Sequence, residues 1–533
     1  MRVRGRTAGL ALATAVSRAT GFARTSVWAA ALGLFTVGSA YTVANTLPTV
    51  LFSLVAGGML SAVLVPQLVR AQARGPEQGQ AYADRLLSLT VVVLLPATGV
   101  AVLGSAVLVR VYAGDGWSVS DLALATALAV WCLPQILFYG VYSVLGQILH
   151  ARDRPGPMLW APVANNVLAL AVGVWVLWAG GIDTGPGPAA ASSVSPADVA
   201  VIGGGSTAGV VVQVLVLIPA LRAAGLRYRP RLDLRGSGLG AAARLAGWTL
   251  LFVAANQVAF AVTAAAMGTA GATAVTAGAE WAAGMPTYVN ANMIMLVPHA
   301  VIAVSISTAA LPGMSRAAAA GRPDLVGASL VGQLTRAAQL LVPFVVLLLV
   351  AGPALARLLF PGNPAPDGWY LGVVVGAFSP AVLLYSAQFI LARGLHALED
   401  TRSPALVQVA VAAAQSTTAV SSLLVLPAEW VVAGAAGGFC VAYAIGAGLT
   451  ARTVRRRTGT DVLRAVAPCH LRDLAAAVLA GAVAVGSVGP LPAPAGLVEA
   501  LLSGTTTVAV YAVVLACVQR LATVISRPLT RAE

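Results

Sequence analysis

The sequence predicts an all-α protein that crosses a membrane many times. Three observations predict it. Apolar runs of about 20 residues, enough to span a bilayer core as a helix, recur along the whole chain. Only 9% of the 533 residues are charged while 59% are hydrophobic, a balance outside the range of soluble domains. Arginines also collect in alternate loops. A helix satisfies its backbone hydrogen bonds internally, as lipid requires of any spanning segment.

About fourteen spans are expected. The first half gives 7–33, 38–69, 86–109, 122–149, 157–180 and 199–221. The second gives 245–267, 281–314, 336–359, 370–395, 403–427 and 430–451, and two more follow at 473–491 and 497–520. Arg2, Arg4 and Arg6 before the first run resemble a signal peptide. Arg18 and Arg24 interrupt its apolar region, so an uncleaved first helix is expected.

The connecting segments 2–6, 70–85, 152–154, 222–244, 316–336, 393–402, 452–472 and 520–531 hold 28 of the 32 basic residues, all of them arginine. They fall on one side when the spans alternate. The opposite loops hold mainly acids, among them Asp115, Asp121, Asp183, Asp198, Asp367 and Glu429. The positive-inside rule then places the chain in the cytoplasmic membrane with both termini cytoplasmic. It also accounts for the net charge of +14 without nucleic acid. Residues 181–198, rich in Gly, Pro, Ala and Ser, are expected as a flexible outer loop. Part of 222–244, with six arginines, is expected as an amphipathic helix on anionic headgroups.

The halves repeat. Pro66, Arg70 and Gly75 recur 246 residues later as Pro312, Arg316 and Gly321. Pro134 and Tyr139 recur at the same offset as Pro380 and Tyr385, and Leu149-His150-Ala151 as Leu395-His396-Ala397. Three separated matches at one offset argue for a duplicated six-helix unit. Six is even, so the copies are parallel and related by a pseudo-two-fold axis along the membrane normal, with a site between them. The expected division is 1–235 for the first lobe, 236–465 for the second, and 466–533 for two added helices and a cytoplasmic tail.

Chemistry of the enzymatic kind has little to stand on. No Gly-rich loop ends in Gly-Lys-Ser/Thr, which disfavours a primary ATP-driven pump. The four cysteines suggest no disulfide framework, and Cys469-His470 lacks further metal ligands. His150 and His396 end helices and His299 follows Pro298, all read as structural. No catalytic residue, metal or cofactor is expected.

The stretch that stands out is Ser17-Arg18-Ala19-Thr20-Gly21-Phe22-Ala23-Arg24. An ionised side chain at mid-bilayer costs about 2.5–3.5 kcal/mol on insertion scales. Keeping two in the first helix points to an anionic ligand; the plain alternative is snorkelling or pairing with a buried carboxylate. Gly21 leaves room for a bend or a close backbone approach. In the second helix Asn45 and Thr46 are polar at depth, and Pro48 frees a carbonyl. Such groups line a wet cavity or bond between helices; so do Asn165-Asn166, Asn256-Gln257, Asn290 and Asn292. The candidate substrate-binding residues are Arg18, Arg24, Ser17, Asn45 and Thr46, and the candidate hinges are Gly21 and Pro48.

Ser17-Arg18-x-x-Gly21-Phe22-x-Arg24, Ala40-Tyr41-x-Val43-Ala44-x-x-Leu47-Pro48 and Ser61 through Val65-Pro66 resemble the MurJ/MviN family. Arg393-x-x-His396-Ala397-x-x-Asp400-Thr401-Arg402-x-Pro404 is similar to that family's second-lobe signature. The resemblance implies a fourteen-helix exporter of the MATE-like superfamily. It would flip lipid II, the undecaprenyl-pyrophosphate-linked peptidoglycan precursor, from the inner to the outer leaflet. It implies that Arg18 and Arg24 hold the pyrophosphate, and that helices 13 and 14 form a groove for the polyprenyl tail. Partners would be the lipid-linked oligosaccharide, the bilayer and cell-wall synthesis enzymes. The chain departs from the family's pattern at Thr25, Ser39, Phe52, Gly57-Gly58 and Met293, positions that are often charged there. Helices 7, 11 and 12 hold no acid, so the carboxylate sodium site of some members has no counterpart. Two other readings stay open: an exporter of another polyprenyl-linked glycan or amphiphile, and a non-transporting paralogue that acts as an envelope-assembly partner.

Overall fold

The protein's structure, a computed structural model, describes residues 2–57, 71, 75–152, 154, 156–231, 239–488 and 497–526. Ser61, Pro66 and Arg70 lie outside the described residues. The described parts of the expected spans are mainly helical, but residues 281–284 and 426–427, placed within spans by the sequence, lie outside the helices. Eleven of the described helices are long and apolar enough to cross a membrane. The helices Arg2–Leu32, Thr36–Phe52 and Leu497–Ser526 occupy the other three expected positions.

In chain order the first unit, Met1–Thr276, holds α1 (Arg2–Leu32), α2 (Thr36–Phe52), α3 (Pro76–Leu103), α4 (Ser105–Ala113), α5 (Val119–Cys132), α6 (Gln135–Ala151) and α7 (Gly156–Ala179). It continues with a short α8 (Pro188–Ser193), then α9 (Pro196–Leu215), α10 (Leu217–Ala223) and α11 (Leu239–Thr276). The second unit, Ala277–Glu533, holds α12 (Met285–Pro298), α13 (Val304–Ala319), α14 (Pro323–Leu359), α15 (Ala365–Ala397), α16 (Arg402–Val425), α17 (Val431–Thr458), α18 (Val462–Val488) and α19 (Leu497–Ser526).

Several spans are interrupted where their sequence dictates. Pro134 sits at the join of α5 and α6, where its ring offers no N–H to continue the ladder. After Pro298 the eighth span passes through one π-helical turn, His299–Ala303, before α13. A second π turn, Ser53–Gly57, closes α2 beyond Pro48. Ser118 and Asp121 form a reciprocal capping box that starts α5, and Ser195 and Asp198 do the same for α9.

The repeat is visible in the packing. In the first unit the third span packs on the fourth, the second on the fourth, and the sixth on both the fourth and the fifth. The corresponding pairs, α14 on α15, α12 on α15, and α17 on α15 and α16, build the second unit. The ends of the fourth and tenth spans match bond for bond. The Arg152 amide donates to the Ile148 carbonyl and that of Arg154 to Leu149; 246 residues on, Leu398 donates to Gly394 and Asp400 to Leu395.

One helix departs from this scheme. α1 packs on α7, but α11, the first span of the second copy, packs on α4 and α2 of the first unit. A Cβ at Gly268 would collide with the Ala113 carbonyl oxygen. Gly114 turns there with φ of +72°, a conformation that favours glycine. The Asp115 amide donates to Thr269 Oγ1 at 2.8 Å, and Trp117 Nε1 to the Gly268 carbonyl at 3.2 Å.

On the arginine-rich side of the second unit, Asp400 ties three helices. Its carboxylate accepts from the Ser403 amide at 2.9 Å and hydroxyl at 2.8 Å, and from Arg457 at 3.0 Å. Burial raises its pKa, but the Ser403 groups and the Arg457 guanidinium outweigh that and hold it below the usual carboxylate range. A carboxyl depressed in the fold contributes stability above its unfolded pKa, about 3.9, and loses it as pH falls through the folded value. Arg457 is 60% exposed, so the Ser403 bonds carry most of the effect. Asp400→Asn is expected to cost about 1–2 kcal/mol at pH 7. Thermal unfolding in detergent should show a gap that holds from pH 7 down to about pH 4 and narrows below it; equal unfolding temperatures at pH 7 would rule the clamp out.

Candidate functional site

The second helix supplies the frame. Tyr41, Asn45 and Thr49 recur every four residues, so they share one face of α2. Each rung meets a partner from another helix. The Tyr41 hydroxyl lies 3.0 Å from Ser206 Oγ on α9. Asn45 Oδ1 accepts from Gln135 Nε2, at the start of α6, over 3.5 Å. The side chain of Thr49 bonds that of Tyr139, whose hydroxyl also donates to Gln135 Oε1 at 2.9 Å. Gln135 Nε2 reaches Thr207 Oγ1 at 3.2 Å, which closes the network onto α9. These are hydroxyls and amides throughout, with no carboxylate among them.

The first helix brings the charge. α1 runs unbroken through Gly21. Trp28 stacks on Tyr41 with ring centroids 4.9 Å apart. Arg24 lies one turn before Trp28 on the same face, within electrostatic reach of the Tyr41 and Tyr139 hydroxyls. Arg24 is half-buried and Arg18 exposed. In a straight helix their Cα positions lie about 9 Å apart along the axis and about 120° apart around it.

The structure thus gathers Arg24 and Asn45 around one polar ladder. Thr46 is half-buried beside Asn45 and turned from the rungs by about 100°. Ser17 meets α7 through its backbone: Asn166 Nδ2 donates to the Ser17 carbonyl at 3.0 Å and to Thr20 Oγ1 at 3.2 Å. Gly21 lies against the same amide, and a Cβ there would stand 3.3 Å from Asn166 Nδ2. Asn165 bonds Gln213 of α9 at 2.9 Å. Both asparagines, open between two roles in the sequence, bond between helices. Gln135 and Ser206 were not singled out from sequence. The available signal was Gln135 one turn before Tyr139, on a helix that starts at a proline.

In the second unit the equivalent of Tyr139 sits among rings. Tyr385 packs edge-on against His299 at 4.6 Å and on Tyr443 at 4.8 Å, and Phe439 joins them. His299 Nδ1 lies 3.0 Å from Ser386 Oγ. Gln388 accepts from Thr450 at 2.7 Å. The position that joins a polar ladder in the first unit, Tyr139, is thus repeated in the second as Tyr385 set among aromatic rings.

A second concavity lies between α14 and α19. This groove of about 310 Å³ is lined by Leu347, Ala351, Leu355, Gly504, Val508 and Ala512, and is almost wholly apolar. Ala480 of α18 packs with Val346 and Tyr511 in the adjoining core.

The comparisons agree with this architecture. A family model described as "Lipid II flippase MurJ" matches residues 28–491. A "Probable lipid II flippase MurJ" of Rhizobium meliloti (strain 1021) is 26% identical over 411 residues, covering 74% of this chain and 70% of the relative. One from Synechocystis sp. is 29% identical over 222 residues, 41% of this chain and 39% of the relative. Among solved structures, "Lipid II flippase MurJ, inward closed conformation" superposes with a TM-score of 0.73 at 16% identity, over 98% of this chain and 99% of the other. A multidrug resistance MATE family transporter in an inward-facing conformation gives 0.64 at 15% identity, over 83% and 96%. With the family model covering most of its length, this helical chain belongs to the MurJ family of lipid II flippases.

Proposed function

We propose that the chain flips lipid II from the inner to the outer leaflet of the cytoplasmic membrane by alternating access, with Arg18 and Arg24 holding the diphosphate. Family membership carries the substrate. The observation that supports the site is Arg24 set against a ladder of neutral hydroxyls and amides. A diphosphate is compact negative charge, and guanidinium forks bind phosphate oxygens two at a time. The neutral rungs can hydrogen-bond the anion or its sugar without repelling it. The apolar groove between α14 and α19 suits the polyprenyl tail. The role is transport: no bond in the lipid is made or broken.

Purified protein in liposomes tests this directly. Lipid II should become accessible from the opposite leaflet, and flipping of other polyprenyl-linked glycans alone would transfer the role to a different substrate. The arginine distribution supports an orientation with both termini and 452–472 cytoplasmic and 181–198 outside. In a cysteine-free variant carrying Arg456→Cys, a membrane-impermeant thiol reagent should label only after the membrane is opened. Labelling of intact cells would invert the topology.

A further inference from the structure

A second concentration of positive charge lies apart from the transport site. After α10 ends at Ala223 the chain leaves the helix, and residues 226–231, Leu-Arg-Tyr-Arg-Pro-Arg, run without helical structure beside α3. Pro230 has no amide N–H and biases Arg229 towards an extended conformation. The amphipathic helix expected within 222–244 is therefore absent from 226–231. The segment is anchored. Leu226 is buried beside Ala83, Leu87 and Leu221. The Tyr228 hydroxyl lies 2.9 Å from Ser88 Oγ, which also accepts from the Arg231 amide at 2.9 Å. Gln80 Nε2 donates to the Arg227 carbonyl at 3.1 Å.

Alternate residues of an extended chain share a face. Leu226 and Tyr228 turn to α3, and Arg227, Arg229 and Arg231 line a cleft of about 920 Å³ together with Arg152, Glu77 and Asp84. Arg152 is fixed by the Ala224 carbonyl at 2.7 Å and Gln80 Oε1 at 2.9 Å. Asp84 is buried and bonded by Gln80 Nε2 at 2.8 Å. Four arginines against two carboxylates leave the cleft positive. Among the described residues, Arg227, Arg229 and Arg231 form no ion pair. The same face of α3, followed past Glu77, Gln80, Asp84 and Ser88, continues to Val92 and Leu95, which are 52% and 56% exposed. A basic cleft thus adjoins an open apolar helix face, on the arginine-rich side.

We propose that this cleft binds the phosphate of an anionic phospholipid, with the headgroup among Arg227, Arg229 and Arg231 and the acyl chains along Val92 and Leu95. The open apolar face favours a lipid over a soluble phosphate. Such a lipid would hold the 226–231 segment, and with it the entry to α11, against the membrane surface. The site is independent of the one proposed for the transported diphosphate.

The test titrates the full-length protein in detergent with dioctanoyl phosphatidylglycerol, dioctanoyl phosphatidylcholine and inorganic phosphate, with binding followed by native mass spectrometry. Phosphatidylglycerol should bind at least about tenfold more tightly than phosphatidylcholine, and weaken as salt is raised. The exposed triple variant Arg227→Gln, Arg229→Gln, Arg231→Gln should lose at least about tenfold in that binding while it elutes and unfolds as wild type. The Arg18→Ala, Arg24→Ala variant should keep it. Undiminished binding by the triple variant, equal binding of phosphatidylcholine, or loss of binding in the Arg18, Arg24 background would each overturn the assignment. Inorganic phosphate binding as tightly as phosphatidylglycerol would hand the cleft to a soluble anion instead.

Discussion

Replacing Arg18 and Arg24 together by alanine is expected to abolish lipid II flipping while the amount of protein in the membrane stays the same. Each guanidinium can make charge-assisted bonds worth about 1.5–3 kcal/mol, so each single alanine should weaken substrate binding by about ten- to a hundredfold. Removing an intramembrane charge eases insertion, so abundance should not fall. Arg24→Ala should be the more severe single change, because Arg24 is half-buried within electrostatic reach of the Tyr41 and Tyr139 hydroxyls while Arg18 is exposed. Lysine should rescue only in part, since an ammonium cannot fork onto two oxygens. If the arginines instead served the fold, the alanine variants would lose membrane protein and activity in parallel. Flipping rate measured beside membrane-inserted protein separates the two, and normal flipping by the double variant would remove both residues from the mechanism.

Gly21→Leu should also stop transport, with both arginines still present. The Asn166 amide lies where a side chain at residue 21 would go, 3.3 Å from its Cβ. Alanine asks for a shift of a few tenths of an ångström, and leucine asks for Asn166 to leave. Overpacking costs about 1–3 kcal/mol, and the displaced amide forfeits its bonds to the Ser17 carbonyl and Thr20. α1 must then rotate or lift from α7, which carries Arg18 and Arg24 out of register with the ladder. A hinge at Gly21 makes the same first prediction, so a second substitution is needed. If packing is the cause, Gly21→Leu with Asn166→Ala should recover part of the lost thermal stability and flipping. No recovery would favour bending at Gly21.

The helices were readable in the sequence because hydropathy is a local property, and the duplication because an offset survives in a few prolines, tyrosines and histidines. The two units' matching helix ends follow from Leu149-His150-Ala151 and Leu395-His396-Ala397. Partnerships were not readable. Whether Asn166 bonds a neighbouring helix or lines a cavity depends on how α7 is turned about its axis, which no property of α7 alone sets. The ladder was half visible: Tyr41, Asn45 and Thr49 share a face by arithmetic, but Gln135 and Ser206 reach them only through tertiary packing. The extended 226–231 stretch was signalled by Pro230 and obscured by the density of arginines around it.

The docking of α11 has a bearing on how the protein is made. By sequence repeat this helix opens the second copy, yet it closes the first unit against the turn at residues 113–117. Chains emerge from the ribosome in order, and domains generally fold as units as they appear. The first unit therefore cannot finish assembling when its six repeat helices have entered the bilayer. It must wait, with one flank of α4 and α2 facing lipid, until more than half the chain has been synthesised. The glycines that let Gly268 meet Ala113 are thus the seal on an assembly intermediate, and the moment of that seal separates the birth of the two units.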